Sequence, residues 1–90
     1  MASNFRIKSR RKGSALHLNL IGDFDGTSAM ELIYAIEKYT GVTQSILIET
    51  DEVNDMHPFG QQVFLKKLPL SQASRKELVF TGKHRSELAP

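Results

Sequence analysis

Apolar and polar residues alternate twice near the start of the chain. Phe5-Arg6-Ile7-Lys8-Ser9-Arg10 puts apolar and basic side chains on opposite faces, which predicts a half-exposed strand over 5–10. Its charged face suits a sheet edge, where lysine and arginine discourage pairing with other chains. Arg11-Lys12-Gly13-Ser14 is a turn candidate. Leu16, Leu18 and Leu20 then alternate with His17 and Asn19, and Ile21 follows. This predicts a second strand over 15–21, antiparallel to the first. Gly22-Asp23-Phe24-Asp25-Gly26 is expected to break it.

The period then changes from two to 3.6. Ala29, Leu32, Ile33 and Ile36 fall at i, i+3, i+4 and i+7, one face of a helix. The helix should start at Thr27 or Ser28. Ser28-Ala29-Met30-Glu31 has capping-box spacing, with Ser28 taking a free N–H and Glu31 reaching back. Gly41, after Tyr39-Thr40, is a good residue for the C-terminal cap. Ile46-Leu47-Ile48 predicts a buried strand over 45–50, followed by an acidic loop from Asp51 towards Gly60. A second helix should begin near Met56 to Phe59. Pro58 is tolerated in its first turn, because its missing N–H would have no intrahelical partner there. Gly60, Val63, Phe64 and Leu68 share a face, Gly60 allows a close approach to the sheet, and Pro69 ends the helix. Ser71 to Lys76 reads as a polar connector. Leu78-Val79-Phe80 predicts a last strand over 77–81, and Ser86 to Ala89 at most one helical turn.

The predicted order is ββαβαβ(α), an α/β fold with a mostly parallel four-stranded sheet and helices packed on it. Strand, helix and strand within about thirty residues make a βαβ unit, which crosses over right-handedly. Ligands and partners of such sheets gather at the C-terminal ends of the strands. Here those ends are Gly22–Gly26, Asp51–Gly60 and Gly82–His84.

Length and charge sharpen this picture. Ninety residues make one domain, 1–90, with a core large enough to need no staples. There is no cysteine, which removes disulfides, thiolate metal sites and cysteine nucleophiles together. No apolar run is long enough for a membrane span or a signal segment, so a cytoplasmic protein with no membrane partner is expected. Net charge is +2, but it is unevenly spread. Residues 1–14 hold five basic residues and no acid, 15–60 hold eight acids against Lys38 alone, and 61–90 hold six basic residues against two acids. An acidic face and a basic face are therefore expected.

Candidate chemistry is sparse. His17, His57 and His84 have no ligand spacing, and solvated histidines are the better reading. Asp23 and Asp25, with Asp51 and Asp55 beyond the next strand, could hold magnesium or accept a phosphoryl group. Such a site also needs a lysine on a later strand end, for which Lys83 is the candidate. Capping aspartates are the commoner case. No nucleophile motif or Gly-rich phosphate loop occurs, so neither an enzyme nor a cofactor is expected. The Arg6–Lys12 cluster has only Phe5 as aromatic neighbour, so no nucleic-acid partner is expected.

Leu18-Asn19-Leu20-Ile21-Gly22-Asp23-Phe24-Asp25, then Thr27-Ser28-Ala29 and an amphipathic helix, resembles the opening of STAS domains, the anti-sigma factor antagonist fold. Ile46-Leu47-Ile48-Glu49, Val53 and His57-Pro58-Phe59-Gly60 resemble that family's central strand and its Asp-Ser-Ser-Gly helix start. Leu78-Val79-Phe80-Thr81-Gly82 resembles its last strand. The resemblance implies a non-catalytic protein-interaction module of a bacterial regulatory system. Its partner would be another protein, anti-sigma factor or kinase-like, and it leaves the oligomeric state open. In antagonists of the family, the first serine or threonine of the helix start is phosphorylated, and the added charge abolishes docking. Here that position is Pro58, which has no hydroxyl, so this switch cannot operate. The implied partner surface is Asp23, Asp25 and Thr27 with Met56, His57, Pro58, Phe59, Gly60 and Gln61. The alternative is a small-ligand or nucleotide-binding module using the same strand-end crevice.

Overall fold

The computed structural model describes residues 4–39, 45–71 and 77–89. Strand β1 (Arg6–Lys12) pairs antiparallel with β2 (Ala15–Phe24), from Arg6 opposite Ile21 to Lys12 opposite Ala15. Strands β3 (Ser45–Met56) and β4 (Glu77–Thr81) then add in parallel, giving the sheet order β1-β2-β3-β4. Helix α1 (Gly26–Lys38) connects β2 to β3, and α2 (Pro58–Lys67) follows β3. A 3-10 turn, Leu68–Leu70, extends α2 through Pro69, and a single turn α3 (Arg85–Leu88) follows β4. The expected element order, ββαβαβ with a last helical turn, is the one observed.

Consecutive parallel neighbours joined by right-handed crossovers carry their helices on one face of the sheet. Helices α1 and α2 accordingly pack against each other. Burial along β2 alternates strictly, with Leu16, Leu18, Leu20 and Phe24 buried and His17, Asn19, Ile21 and Asp23 half-buried. On the helix side the core joins these residues to Ala29, Leu32, Ile33 and Ile36 of α1, Ile46, Ile48 and Val53 of β3, and Phe64 of α2. Phe5, Phe24, Phe64 and Phe80 form an edge-to-face chain through that core, at centroid distances of 5.8, 6.4 and 5.9 Å. Leu88 of α3 is fully buried in it. The other face of the sheet carries no helix among the described residues.

Three expectations are corrected. First, Gly22 does not break β2, which runs on to Phe24. Gly22 holds φ at +101°, and a Cβ there would lie 2.4 Å from the Asn4 carbonyl oxygen, so only glycine fits this stretch of strand. Second, the acidic loop after residue 50 is strand. β3 continues to Met56 beside the lengthened β2, with Ile21, Gly22, Asp23 and Phe24 opposite Glu52, Val53, Asp55 and Met56. Two register shifts give β3 extra residues there, the signature of β-bulges. Fully buried Val53 anchors the extension from within. Third, α1 starts at Gly26 and its cap is Asp25, whose carboxylate accepts the Ser28 N–H at 2.9 Å. Ser28 sits inside the first turn, where its hydroxyl donates to the Asp23 carbonyl at 2.9 Å. The cap expected at Gly41 and the connector residues 72–76 lie outside the described residues.

Candidate functional site

The ends of β2 and β3 run directly into the starts of α1 and α2, and two contacts lock these junctions together. The His57 N–H donates to the Phe24 carbonyl at 3.0 Å. Gly60, buried in the first turn of α2, lies against the Phe24–Asp25 backbone. A Cβ at Gly60 would sit 2.7 Å from the Phe24 oxygen and the Asp25 carbonyl carbon. The close approach expected of Gly60 is thus to the β2–α1 junction. Pro58 occupies the first position of α2, and its exposed neighbour His57 makes no side-chain cap. His57 instead sits with Nε2 3.4 Å from the Asp55 carboxylate, and its carbonyl accepts the Gln61 N–H at 3.0 Å.

Phe59 is the exception to apolar burial at this corner. It is 68% exposed, and its ring lies over Gly26 at the start of α1, where an added Cβ would come within 2.8 Å of Cε2. An open groove of about 570 Å³ follows between the two helices, lined by Asp25, Gly26, Thr27, Met30, Phe59, Val63 and Lys67. Its floor is apolar, with an acid at one end and a lysine on its wall. The Asp25 carboxyl is held below the usual aspartate range, chiefly by the Ser28 N–H and despite the opposing effect of burial. Asp25 is therefore a charged helix cap at neutral pH.

The structure brings Asp25, Thr27 and Phe59 to this groove. It sets Pro58, Gly60 and Gln61 in the turn of α2 behind it, and Met56 and His57 at the entry to that turn. Asp23 goes elsewhere. It lies beside Asp55 in the β2–β3 ladder, on the sheet face away from the helices. Met30, Val63 and Lys67 complete the groove without having been expected there. Phe59, Val63 and Lys67 recur every four residues, but Val63 is divided between the groove and the core face, so the spacing alone does not single out a groove.

The third strand end is tied down internally. The buried Thr50 hydroxyl donates to the Thr81 carbonyl at 2.8 Å and accepts the His84 N–H at 3.0 Å. Asp51 accepts the Lys83 N–H at 2.9 Å, and His84 Nδ1 lies 2.5 Å from the Glu87 carboxylate. Asp51 thus holds the β4 loop, while Asp23 and Asp55 lie at the other strand pair. Among the described residues there is no group of three histidine, aspartate or glutamate side chains able to hold a metal ion. No described helix is long and apolar enough to cross a membrane.

No protein-family model matches the chain. No curated protein matches it in sequence either. Solved structures do match in fold. The anti-sigma factor antagonist SpoIIAA, solved in its unphosphorylated form, aligns with a TM-score of 0.57 at 14% identity, over 84% of this chain and 70% of its own. An uncharacterised protein with a SpoIIAA-like fold from Shewanella loihica aligns at 0.55 and 14% identity, over 98% of this chain and 96% of its own. Mglu aligns at 0.70 and 15% identity over 87% of this chain. The chain spans only 20% of Mglu, so there it corresponds to a small part of a larger protein. The fold is SpoIIAA-like, and the STAS resemblance holds at the level of architecture.

Proposed function

We propose that the chain is a non-catalytic, STAS-like regulatory module of a bacterial cytoplasm, acting as a single domain that docks another protein. The docking surface is the corner where α1 and α2 begin, with Phe59 as its anchor. Exposed Phe59 is the observation that carries this reading. A large aromatic ring over a glycine-floored junction, beside the apolar side chains of Met30 and Val63, has the character of an interface anchor. Asp25 and Lys67 supply opposite charges that orient a partner across the groove. The partner is a protein of the anti-sigma factor or kinase-like class. Docking is independent of phosphorylation at the helix start, because Pro58 offers no hydroxyl there.

The experiment is a comparison of wild type with Phe59→Asp as bait in extracts of the native cell, followed by titration of the captured protein once purified. Phe59 is exposed, so the variant should melt within a few degrees of wild type. Its partner should bind at least about tenfold more weakly, since aromatic anchors carry roughly 2 kcal/mol or more. Equal affinity for the folded variant would remove Phe59 from the site. A nucleotide or small-ligand role for the crevice is tested separately by thermal shift, where a true ligand at 100 times its Kd adds about 2.7 kcal/mol of stability.

A further inference from the structure

The face of the sheet opposite the helices has a charge arrangement that the groove does not explain. The strand register places its side chains in rows. Lys12 of β1 lies level with Ala15, Ser45 and Glu77 on the following strands. In the next row Arg10 lies level with His17, Leu47 and Val79, and in the next Lys8 with Asn19, Glu49 and Thr81. Arg6 follows, level with Ile21 and Glu52. A recess of about 280 Å³ among Lys8, Arg10, His17, Asn19 and Glu49 lies on this face. On the same face Asn19 Nδ2 donates to Glu52 Oε2 at 3.1 Å.

Charge is therefore sorted by strand. β1 presents four cations and no anion here, while β3 and β4 present Glu49, Glu52, Asp55 and Glu77 and no cation. Between the two lies a strip that is nearly neutral over His17, Asn19, Ile21 and Leu47. It turns acidic only at its end, where Asp23 lies level with Asp55, so that the pairing must stop short of that row. At the far edge Val79 is 44% exposed.

We propose that this face pairs with the same face of a second copy of the chain. A two-fold axis parallel to the strands reverses their order and keeps each row level. It lays β1 of one copy over β4 of the other, and β2 over β3. Lys12 then faces Glu77, Arg10 faces Val79, His17 faces Leu47 and Asn19 faces Glu49. Lys8 and Arg6 lie one strand to the side of Glu49 and Glu52, within reach of long side chains over an intersheet gap of about 10 Å. The other in-plane axis would lay β1 on β1 and repel. The charges thus select one of the two symmetric pairings, and aligned sheet packing accommodates it.

Size and charge both favour a second copy over a polyanion. Each strand residue covers roughly 16 Å² of sheet, so the face is about 500 Å² and two apposed faces about 1,000 Å², the lower limit of a specific interface. A nucleic acid tracking β1 would meet Glu49 and Glu52 only about 10 Å away, two strand spacings and no more than a Debye length. Those carboxylates oppose a phosphate backbone but complement a second basic strand.

The test is sedimentation equilibrium of the full chain over a concentration series at low and high salt. Wild type should show a monomer–dimer equilibrium that weakens as salt rises. Lys8→Glu with Arg10→Glu cancels the positive charge of β1, leaving Arg6 and Lys12 as its cations, and Glu49→Lys with Glu52→Lys makes the middle of β3 basic. Each charge variant alone should dimerise at least about tenfold more weakly. Mixed together, the two should recover a dimer. Val79→Arg, on the edge strand remote from β1, should also lose it, whereas an edge-to-edge β1 dimer would survive that change. Phe59→Asp should dimerise like wild type, which separates this surface from the helix-start groove. A wild-type chain that stays monomeric at low salt up to the highest soluble concentration overturns the proposal. So does a Val79→Arg dimer as strong as wild type, or salt-sensitive binding of a single-stranded oligonucleotide by a chain that does not dimerise.

Discussion

At the scale of single residues the helix-start corner depends on Gly60 and Asp25. Gly60 has no room for a side chain, because a Cβ would strike the Phe24–Asp25 backbone at 2.7–2.8 Å. Backbone cannot swing aside as a flexible side chain can. Gly60→Ala should therefore cost about 1–3 kcal/mol despite alanine's better helix propensity. At about 4–8 °C per kcal/mol, thermal unfolding resolves this easily. A Tm at or above wild type would mean that the two junctions do not touch. Asp25 acts through charge as well as shape. Its carboxyl titrates below the usual aspartate range because the Ser28 N–H favours the ionised form. A depressed folded-state pKa gives stability that is present above the unfolded value, about 3.9, and lost as pH falls through the folded one. Asp25→Ala should cost about 1 kcal/mol at neutral pH. The gap from wild type should narrow in denaturation curves taken below about pH 4. Asp25→Asn, which keeps a capping oxygen, should cost less. The residues at this corner were legible in the sequence to different degrees. Pro58, Phe59 and Gly60 stood out because their types are unusual at a helix start. Met30, Val63 and Lys67 did not, because a groove between two helices depends on how they are rotated against each other. Apolar periodicity marks the face turned to the core, but it does not say which of its borders meets a second helix.

At the scale of elements, strand ends were the hardest feature to read. Alternation located β1 and β2, short apolar runs located β3 and β4, and the 3.6 period located α1 and α2. The acidic run Glu49-Thr50-Asp51-Glu52 has no strand-like alternation, so β3 was expected to stop near residue 50. It continues because β2 continues beside it, and because bulges let Thr50 and Val53 both reach the buried side. Register shifts of this kind depend on the neighbouring strand and leave no period in the sequence. Hydrogen exchange measures the difference directly. Amides of the Glu52–Met56 segment that pair with β2 should exchange more slowly than those of the Gly13-Ser14 turn. Exchange as fast as the turn would make this stretch a loop after all. The same extension explains where the acidic charge ends up. Glu49, Glu52 and Asp55 are spread along a strand on the open face, so they do not gather into the metal-binding cluster that a loop could have formed. One element therefore decides both the absence of convergent carboxylates among the described residues and the charge sorting of the sheet.

At the scale of the whole molecule, the fold is one-sided. Both crossovers deliver their helices to the same face, so a single apolar layer carries the stability while the helix starts and the open sheet remain for contacts. The edge-to-face chain Phe5–Phe24–Phe64–Phe80 runs through that layer from β1 to β4. Phe64 matters most to it, because it is fully buried on α2 and touches the rings on either side. With no second layer behind the sheet among the described residues, a cavity at Phe64 has few neighbours that can move to fill it. Phe64→Ala should cost about 3–5 kcal/mol, and Phe64→Leu clearly less because most of the volume is kept. Against a total of about 5–15 kcal/mol for a domain, the alanine change removes a large share of the stability. Urea unfolding should show a much lower midpoint, and an unchanged slope for the leucine variant. The same arrangement separates stability from recognition. Phe59 lies five residues before Phe64 on α2, which turns it to a different side of the helix and outside this ring chain, so Phe59→Asp should move the urea midpoint little. If Phe59→Asp lowered the midpoint as far as Phe64→Ala does, Phe59 would belong to the core layer. The helix-start corner would then be a packing feature rather than a surface kept free for a partner.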